Sequence, residues 1–293
     1  MPELPEVETI KKQLEKSIVS KKIKSAEILY PRFINVSVKE FQQAIAGAKI
    51  KGIRRRAKLL IIDLSNSYSL LCHLKMTGQL IHSPKHRPEH RGPSSVKSVK
   101  LTEDGPLLIH HTHIVYRFAN GDVLIHSDIR KFGYVKLMKT SEVESYLNKA
   151  GYGIEPLEKE FSFAIFKKII RSKPQQKIKQ FLLDQKNIAG IGNIYADEIC
   201  FYAGVRPDKK ISELSENEIK KIFLGIKKIL TGAIKYRGSS ISDYRDSQGR
   251  RGEYQLRLKV YGRHKEKCAK CGNKIQKTKL FGRGTHFCPK CQK

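Results

Sequence analysis

Four cysteines near the end of the chain, Cys268, Cys271, Cys288 and Cys291, are spaced C-x2-C-x16-C-x2-C. Two knuckles of two thiolates each can close a tetrahedral zinc site, and four protein ligands leave no open position for catalysis. The metal expected here is one structural zinc, holding together a module too small to build its own core. The same stretch, 264–293, carries nine Lys/Arg against one acid. A metal-stapled basic hairpin is a contact element for nucleic acid. Its segment FGRGTH sets Arg283 between two glycines, where an arginine fork can reach a phosphate. A solvated surface charge is the plainer account of Arg283 alone.

The charge balance extends that reading to the whole chain. Lys and Arg number 58 against 28 Asp and Glu, a formal charge of +30. Such an excess fits a polyanionic partner, either nucleic acid or an anionic membrane surface. A protein of ribosomal type would carry it equally well. No apolar stretch approaches a membrane span, and the acidic N-terminus does not resemble a signal peptide. The expected compartment is the cytoplasm, at the nucleoid in a bacterium, with the chain acting as a monomer. Cys72 and Cys200 stand alone in apolar patterns and read as buried small hydrophobes.

With 293 residues the chain has room for two domains or one large one. Residues 5–17 place Val7, Ile10 and Leu14 on one helical face, with acids early and lysines late. From about 20 to 140 short β-type runs follow, with Asn120-Gly121 as a hairpin signal. That half reads as an antiparallel β-sandwich with a leading helix. Residues 82–108, rich in proline and charge, read as a long mobile surface loop. Residues 153–165 read as a linker and helix start, and helical patterns run on to about 236. Residues 237–255 form a Gly/Ser/Arg-rich loop. The division expected is 1–152, 153–255 and 256–293, an α+β multidomain chain.

The opening MPELPEVETI raises a chemical possibility. The plainer account is that Pro2 and Pro5 stiffen a helix entry, with Glu3, Glu6 and Glu8 answering its dipole. If Met1 is trimmed, however, Pro2 carries a free secondary amine, and an α-amino group titrates at about 7.7–8.0. Such an amine attacks carbonyl-like carbons and leaves a charged iminium, an electron sink, with Glu3 beside it as acid or base. In DQKNIAGIGNIYADE two glycines precede Asn193 at a helix start, a pattern that suits phosphate or an ordinary cap by Asn193. In RRRAKLLIIDL, Lys58 breaks into a strand, as a snorkelling edge residue or an active-site cation. His73 and Met76 in HLKMTG, His111 in HHTH, and Arg130 with Phe132 in DIRKFG form a scattered set. Met and Phe would ordinarily be core, but beside arginine on loops they can act as wedges in a base stack.

Taken in order, MPELPEVETI, RRRAKLL, HLKMTG, DIRKFG, LLDQKNIAGIGNIYADE, VYGR and GRGTHFCPKCQK resemble bacterial formamidopyrimidine-DNA glycosylase over nearly the whole chain. The resemblance implies an N-terminal β-sandwich, a helix–two-turns–helix module and a C-terminal zinc finger. It implies a glycosylase and AP lyase of base excision repair that removes 8-oxoguanine and formamidopyrimidines from damaged double-stranded DNA. By it, Pro2 is the nucleophile on C1′, Glu3 the proton donor, Lys58 an aid to β-elimination, and Arg283 serves δ-elimination. Met76, Arg130 and Phe132 would fill the gap left by the flipped nucleotide, Arg130 meeting the orphan cytosine. His73, His111 and Asn193 would bind phosphates. Lys173 would take the phosphate contact where Pro174 stands in place of the family's usual Arg or Lys, and the lesion-capping loop would lie within 237–255. Two other readings stand beside it: an endonuclease VIII-like enzyme for oxidised pyrimidines, and a catalytically silent zinc-finger DNA-binding protein.

Overall fold

The structure, a computed structural model, describes residues 1–85, 100–102, 105–107 and 111–293. Helix α1 (Leu4–Ile18) leads the chain. Pro5 sits in its first turn, where its missing N–H has no partner to lose. Val7, Ile10, Leu14 and Ile18 form its buried stripe, none more than 1% exposed. Each such side chain contributes about 1.5–3 kcal/mol by leaving water.

The strands follow: β1 (Ile23–Ile28), β2 (Ile50–Arg56), β3 (Leu59–Leu64), β4 (Tyr68–His73), β5 (Gly78–Ser83), β6 (Lys100–Thr102), β7 (Gly105–Leu107), β8 (Thr112–Phe118), β9 (Val123–Asp128) and β10 (Tyr134–Lys139). Two antiparallel four-stranded sheets result, in the orders β1-β8-β9-β5 and β10-β4-β3-β2. Inward residues of both, such as Leu60, Leu70 and Cys72 from one and Leu80, Ile114 and Leu124 from the other, share one core with α1. The sandwich is therefore as expected. Asn120-Gly121 does lie in the β8–β9 turn, with Gly121 at φ +88°.

Several local expectations differ. Helices α2 (Val38–Ile45) and α3 (Val143–Ala150) were not legible among the β-type runs. Ser37 caps α2 through Glu40 N, and Phe41 and Ile45 anchor it in the core. Of the 82–108 segment read as a loop, 82–83 complete β5, and β6 pairs with β7. Most of its remainder lies outside the described residues. Lys58 does not interrupt a strand: Ala57 and Lys58 form the two-residue turn between β2 and β3, with Ala57 at φ +53°.

Further along come α4 (Phe163–Arg171), α5 (Ile178–Leu183), α6 (Asn193–Ala203) and α7 (Glu216–Lys235), then the hairpin β11 (Gln276–Leu280) and β12 (Arg283–Phe287). Ser215 and Glu218 form a capping box at α7, and Gly204 at φ +72° ends α6. Phe161, Phe166, Phe181, Tyr195, Ile199 and Ile226 fill this core, which Leu4 also joins. The 153–165 stretch is not loose. Gly153 N and Ile154 N donate to Gln185 O and Asn187 O, and Ala189 N returns a bond to Ile154 O.

By contacts the chain forms two units. One holds Met1–Pro2, Glu6–Lys149 and Ser239–Gly252; the other holds Glu3–Pro5, Ala150–Gly238 and Glu253–Lys293. Residues 239–252 thus group with the sandwich rather than with the helices beside them in sequence. Glu6 explains part of this, since its carboxylate accepts from Ser239 N at 2.8 Å. Gln13 bonds Asp246 and Ser247, His82 N donates to Ser247 O at 2.7 Å, and Tyr244 enters the sandwich core.

Candidate functional site

Glu3 lies in the helical unit and is only 2% exposed. Its carboxylate accepts from Gly192 N at 2.7 Å and Ile194 N at 2.9 Å, at the N-terminus of α6. Leu4 N donates to Gly190 O at 3.0 Å. The two glycines make room for these N-terminal residues. A Cβ on Gly192 would sit 2.3 Å from the Glu3 Cδ, and one on Gly190 would sit 2.6 Å from Leu4 Cβ. The glycine pattern therefore serves the chain's own carboxylate at this helix end, where the dipole favours an anion. The cap is Gly192, not Asn193. Asn193 is the first helical residue, and its side-chain nitrogen donates to Gly284 O at 3.0 Å. Pro2 is buried behind an exposed Met1.

The same unit contains the cysteine module. All four Sγ atoms lie within 4.8 Å of one another. Cys268 and Cys291 are 3.9 Å apart, and Cys271 and Cys288 are 3.4 Å apart. Zn–S bonds of about 2.3 Å in a tetrahedron require sulfurs about 3.8 Å apart, so the donor set fits one zinc. Each knuckle closes on a backbone bond, Gly272 N to Cys268 O and Gln292 N to Cys288 O. The site has no open position, so the zinc is structural.

Arg283 is exposed, but not on a loop. It opens β12 opposite Leu280, across a turn in which Phe281 and Gly282 both take positive φ, 50° and 72°. That is the turn geometry matched to strand twist. Next to it, Lys179, with no exposed surface, donates to Gly284 O at 3.1 Å and Thr285 Oγ1 at 2.8 Å. Its ammonium also meets Asp197 at 2.6 Å. Asp197 in turn accepts from His286 N at 2.8 Å. Glu198, one residue on, gathers the N–H groups of Lys259, Val260 and Tyr261. Burial still pushes its carboxyl up from the ordinary range. Two adjacent acids of α6 thus hold both flanks of the zinc module.

In the sandwich unit, two loops meet. Met76 lies in the β4–β5 turn, and Arg130 and Phe132 in the β9–β10 turn. Thr77 Oγ1 donates to the Asp128 carboxylate, which also accepts from Arg130 N at 3.1 Å and Gly133 N at 2.6 Å. Arg130 and Phe132 are exposed, the guanidinium 4.7 Å above the ring. His111 is exposed as well, and its carbonyl accepts from Asp128 N at 2.9 Å.

His73 ends β4, beside Leu59 of the next strand. Lys75 N donates to its Nδ1 at 3.0 Å, so the neutral ring keeps its proton on Nε2. Burial, with the Lys75 and Lys58 charges, holds its pKa down at about 3. It is a neutral donor, apt for a phosphate oxygen. Lys58 is 8% exposed. Arg55, which pairs with Glu8 at 2.8 Å, steadies its turn by donating to Ala57 O at 2.9 Å. Lys173 is exposed in the α4–α5 connection of the helical unit.

Asp128, Thr77, Lys179, Asp197 and Glu198 were not singled out by sequence. The signal for the last two was present: adjacent acids inside an otherwise apolar helix must find buried partners. An aspartate opening a tight turn is an equally general sign.

Three family models match the chain. The formamidopyrimidine-DNA glycosylase N-terminal domain matches residues 1–135, and the H2TH domain of that enzyme matches 152–245. A zinc finger found in FPG and IleRS matches 265–293. The chain is 41% identical to the formamidopyrimidine-DNA glycosylase of Listeria monocytogenes, and 42% to that of Carboxydothermus hydrogenoformans, over the full length of each. Among solved structures it is similar to Lactococcus lactis Fpg in complex with abasic-site DNA, with TM-score 0.84, 39% identity and 99% of both chains covered. A complex of that protein with N7-benzyl-Fapy-dG DNA gives TM-score 0.85, 39% identity and full coverage.

Proposed function

The chain belongs to the formamidopyrimidine-DNA glycosylase family, and from that premise we propose that Pro2, Glu3, Lys58 and Arg283 carry its chemistry on damaged duplex DNA. It is a DNA glycosylase and AP lyase of base excision repair. The observation that carries the assignment is the Glu3 carboxylate, pinned by two N–H groups immediately after Pro2 in the chain. Removal of Met1 frees the Pro2 nitrogen. That amine attacks C1′ while the C1′–base bond breaks and its electron pair leaves with the base. Glu3 takes the amine proton and delivers it to the sugar ring oxygen as the ring opens to an iminium. The iminium acidifies C2′–H, so the 3′-phosphate leaves, aided by Lys58, and the 5′-phosphate follows, aided by Arg283.

A base inside a duplex must first be extruded, at a cost of a few kcal/mol. Met76, Arg130 and Phe132 offset that cost as wedges, while His73, His111, Lys173 and Asn193 hold phosphates. The module 256–293 is closed by zinc, and the place of work is the nucleoid.

Borohydride in the presence of 8-oxoguanine DNA should trap a covalent adduct at Pro2. A chain that retains Met1 and remains fully active would overturn the assignment. Faster turnover on thymine glycol than on 8-oxoguanine opposite cytosine would favour the pyrimidine-specific relative. Arg130 should favour cytosine, whose O2 and N3 both accept, over adenine, by about 1–3 kcal/mol. Arg130→Ala should erase most of that preference in single-turnover excision.

A further inference from the structure

Arg130, Met76 and Phe132 stand on two different turns, and one buried carboxylate joins those turns. Asp128 is 1% exposed and accepts from Thr77 Oγ1 on one side and from Arg130 N and Gly133 N on the other. Thr77 Oγ1 also accepts from Arg130 N at 3.1 Å, which closes the connection a second time. The backbone around this carboxylate leaves no slack. Lys131 takes φ +56°, and a Cβ on Gly133 would come within 3.0 Å of Asp128 Oδ2 and of His73 O. The carboxylate therefore sets the path of residues 128–133 and ties it to the turn that carries Met76.

We propose that Thr77 and Asp128 are positioning residues that lock the two turns into one rigid comb, so that preference for the opposite base depends on two side chains that do not touch DNA. The inference rests on the reading of Arg130 as the group that meets the orphan base. The guanidinium is at the end of a long side chain, and it can discriminate between two base edges only if its own backbone is fixed. A bidentate fork gains specificity from such fixing, because both hydrogen bonds must be in place together. Without the Thr77 hydroxyl the stems stay paired, Gly78 with Asp128 and His73 with Tyr134, but the turn tips lose their cross-bond, and Arg130 can reach either base in several poses.

The test is single-turnover excision of 8-oxoguanine opposite cytosine and opposite adenine. Thr77→Val, near in shape, should lower the C-to-A rate ratio roughly three- to tenfold, the scale of one lost hydrogen bond. Thr77→Ser should restore it, and Asp128→Asn should lower it at least as far as Thr77→Val does. Borohydride trapping on DNA that already contains an abasic site should stay within about twofold of the parent protein for Thr77→Val, because that reaction needs no choice of opposite base. The ratio in the double variant Thr77→Val/Arg130→Ala should equal that in Arg130→Ala alone. Should Arg130→Ala itself leave the ratio unchanged, the underlying reading of Arg130 fails. If Arg130→Ala collapses the ratio while Thr77→Val keeps it, the positioning role is overturned and the Arg130 reading stands. A ratio that falls in Thr77→Val together with an equal fall in trapping would also overturn it, since that is general damage to the fold.

Discussion

Two buried aspartates do comparable work in the two units, by different means. Asp128 holds the turns of the sandwich with a hydroxyl and backbone N–H groups, all of them neutral donors. Asp197 holds the zinc hairpin with a fully buried lysine, and with His286. The sandwich turns rise from a core that draws on both sheets and α1, so hydrogen bonds are enough to aim them. The zinc module has only a small apolar cluster, Val260, Cys268, Ile275 and Cys288. A module with so little area to bury needs stronger fasteners, and it has a metal and an ion pair.

Stripping the metal is the strongest way to break this comparison. Folding of four-thiolate zinc modules draws on the order of 10 kcal/mol from the metal. Cys271→Ser, or chelation, should expose the β11–β12 amides to hydrogen exchange and weaken DNA binding while the sandwich amides stay protected. Protein purified without chelator should contain one zinc per chain by metal analysis.

Next in size is the ion pair. Lys179→Met leaves Asp197 charged and buried, a loss of about 3–5 kcal/mol in thermal or urea unfolding. Adding Asp197→Leu should recover much of it, because an apolar pair leaves no lone charge. Equal stability for Lys179→Met and the parent would show that the Lys179–Asp197 pair does not fasten the hairpin.

The sandwich has its own weak point, in pH. His126 is fully buried and edge-on to Phe33, with ring centroids 4.7 Å apart. Burial, reinforced by His113, lowers its pKa from 6.5 to about 3. The unfolded chain therefore binds a proton that the folded chain refuses between those values. Stability is intact above pH 6.5 and declines as pH falls toward 3, by up to about 1.4 kcal/mol per unit for this one group. His73, with its pKa also near 3, acts in the same direction. His126→Leu should make the acid slope of unfolding free energy shallower by about one proton.

The smallest effect is expected at Lys173, an exposed residue of the α4–α5 connection. Lys173→Ala should weaken binding to all sequences alike and reduce the salt slope by about 1, with the opposite-base ratio unchanged. A changed ratio would place Lys173 with the specificity groups.

Elements whose signals are local can be read along the chain. Helical periodicity placed α1, alternation and Asn120-Gly121 marked the sandwich, and cysteine spacing declared the metal. Pro2 and Glu3 could be singled out as candidates because a position behind Met1 is itself a feature of the sequence. Tertiary structure alone decided the partners. Glu3 meets Gly192 and Ile194, 189 and 191 residues on in sequence, Lys179 meets residues 284 and 285, and Glu6 accepts from Ser239 N. Short helices such as α2 were hidden for the same reason: a weak local preference is settled by the core that Phe41 and Ile45 enter. Local propensity is a matter of neighbouring dihedrals and can be read along the chain. The partner of a buried charge is chosen by the cost of leaving it unpaired, and that cost exists only once the chain has closed around it.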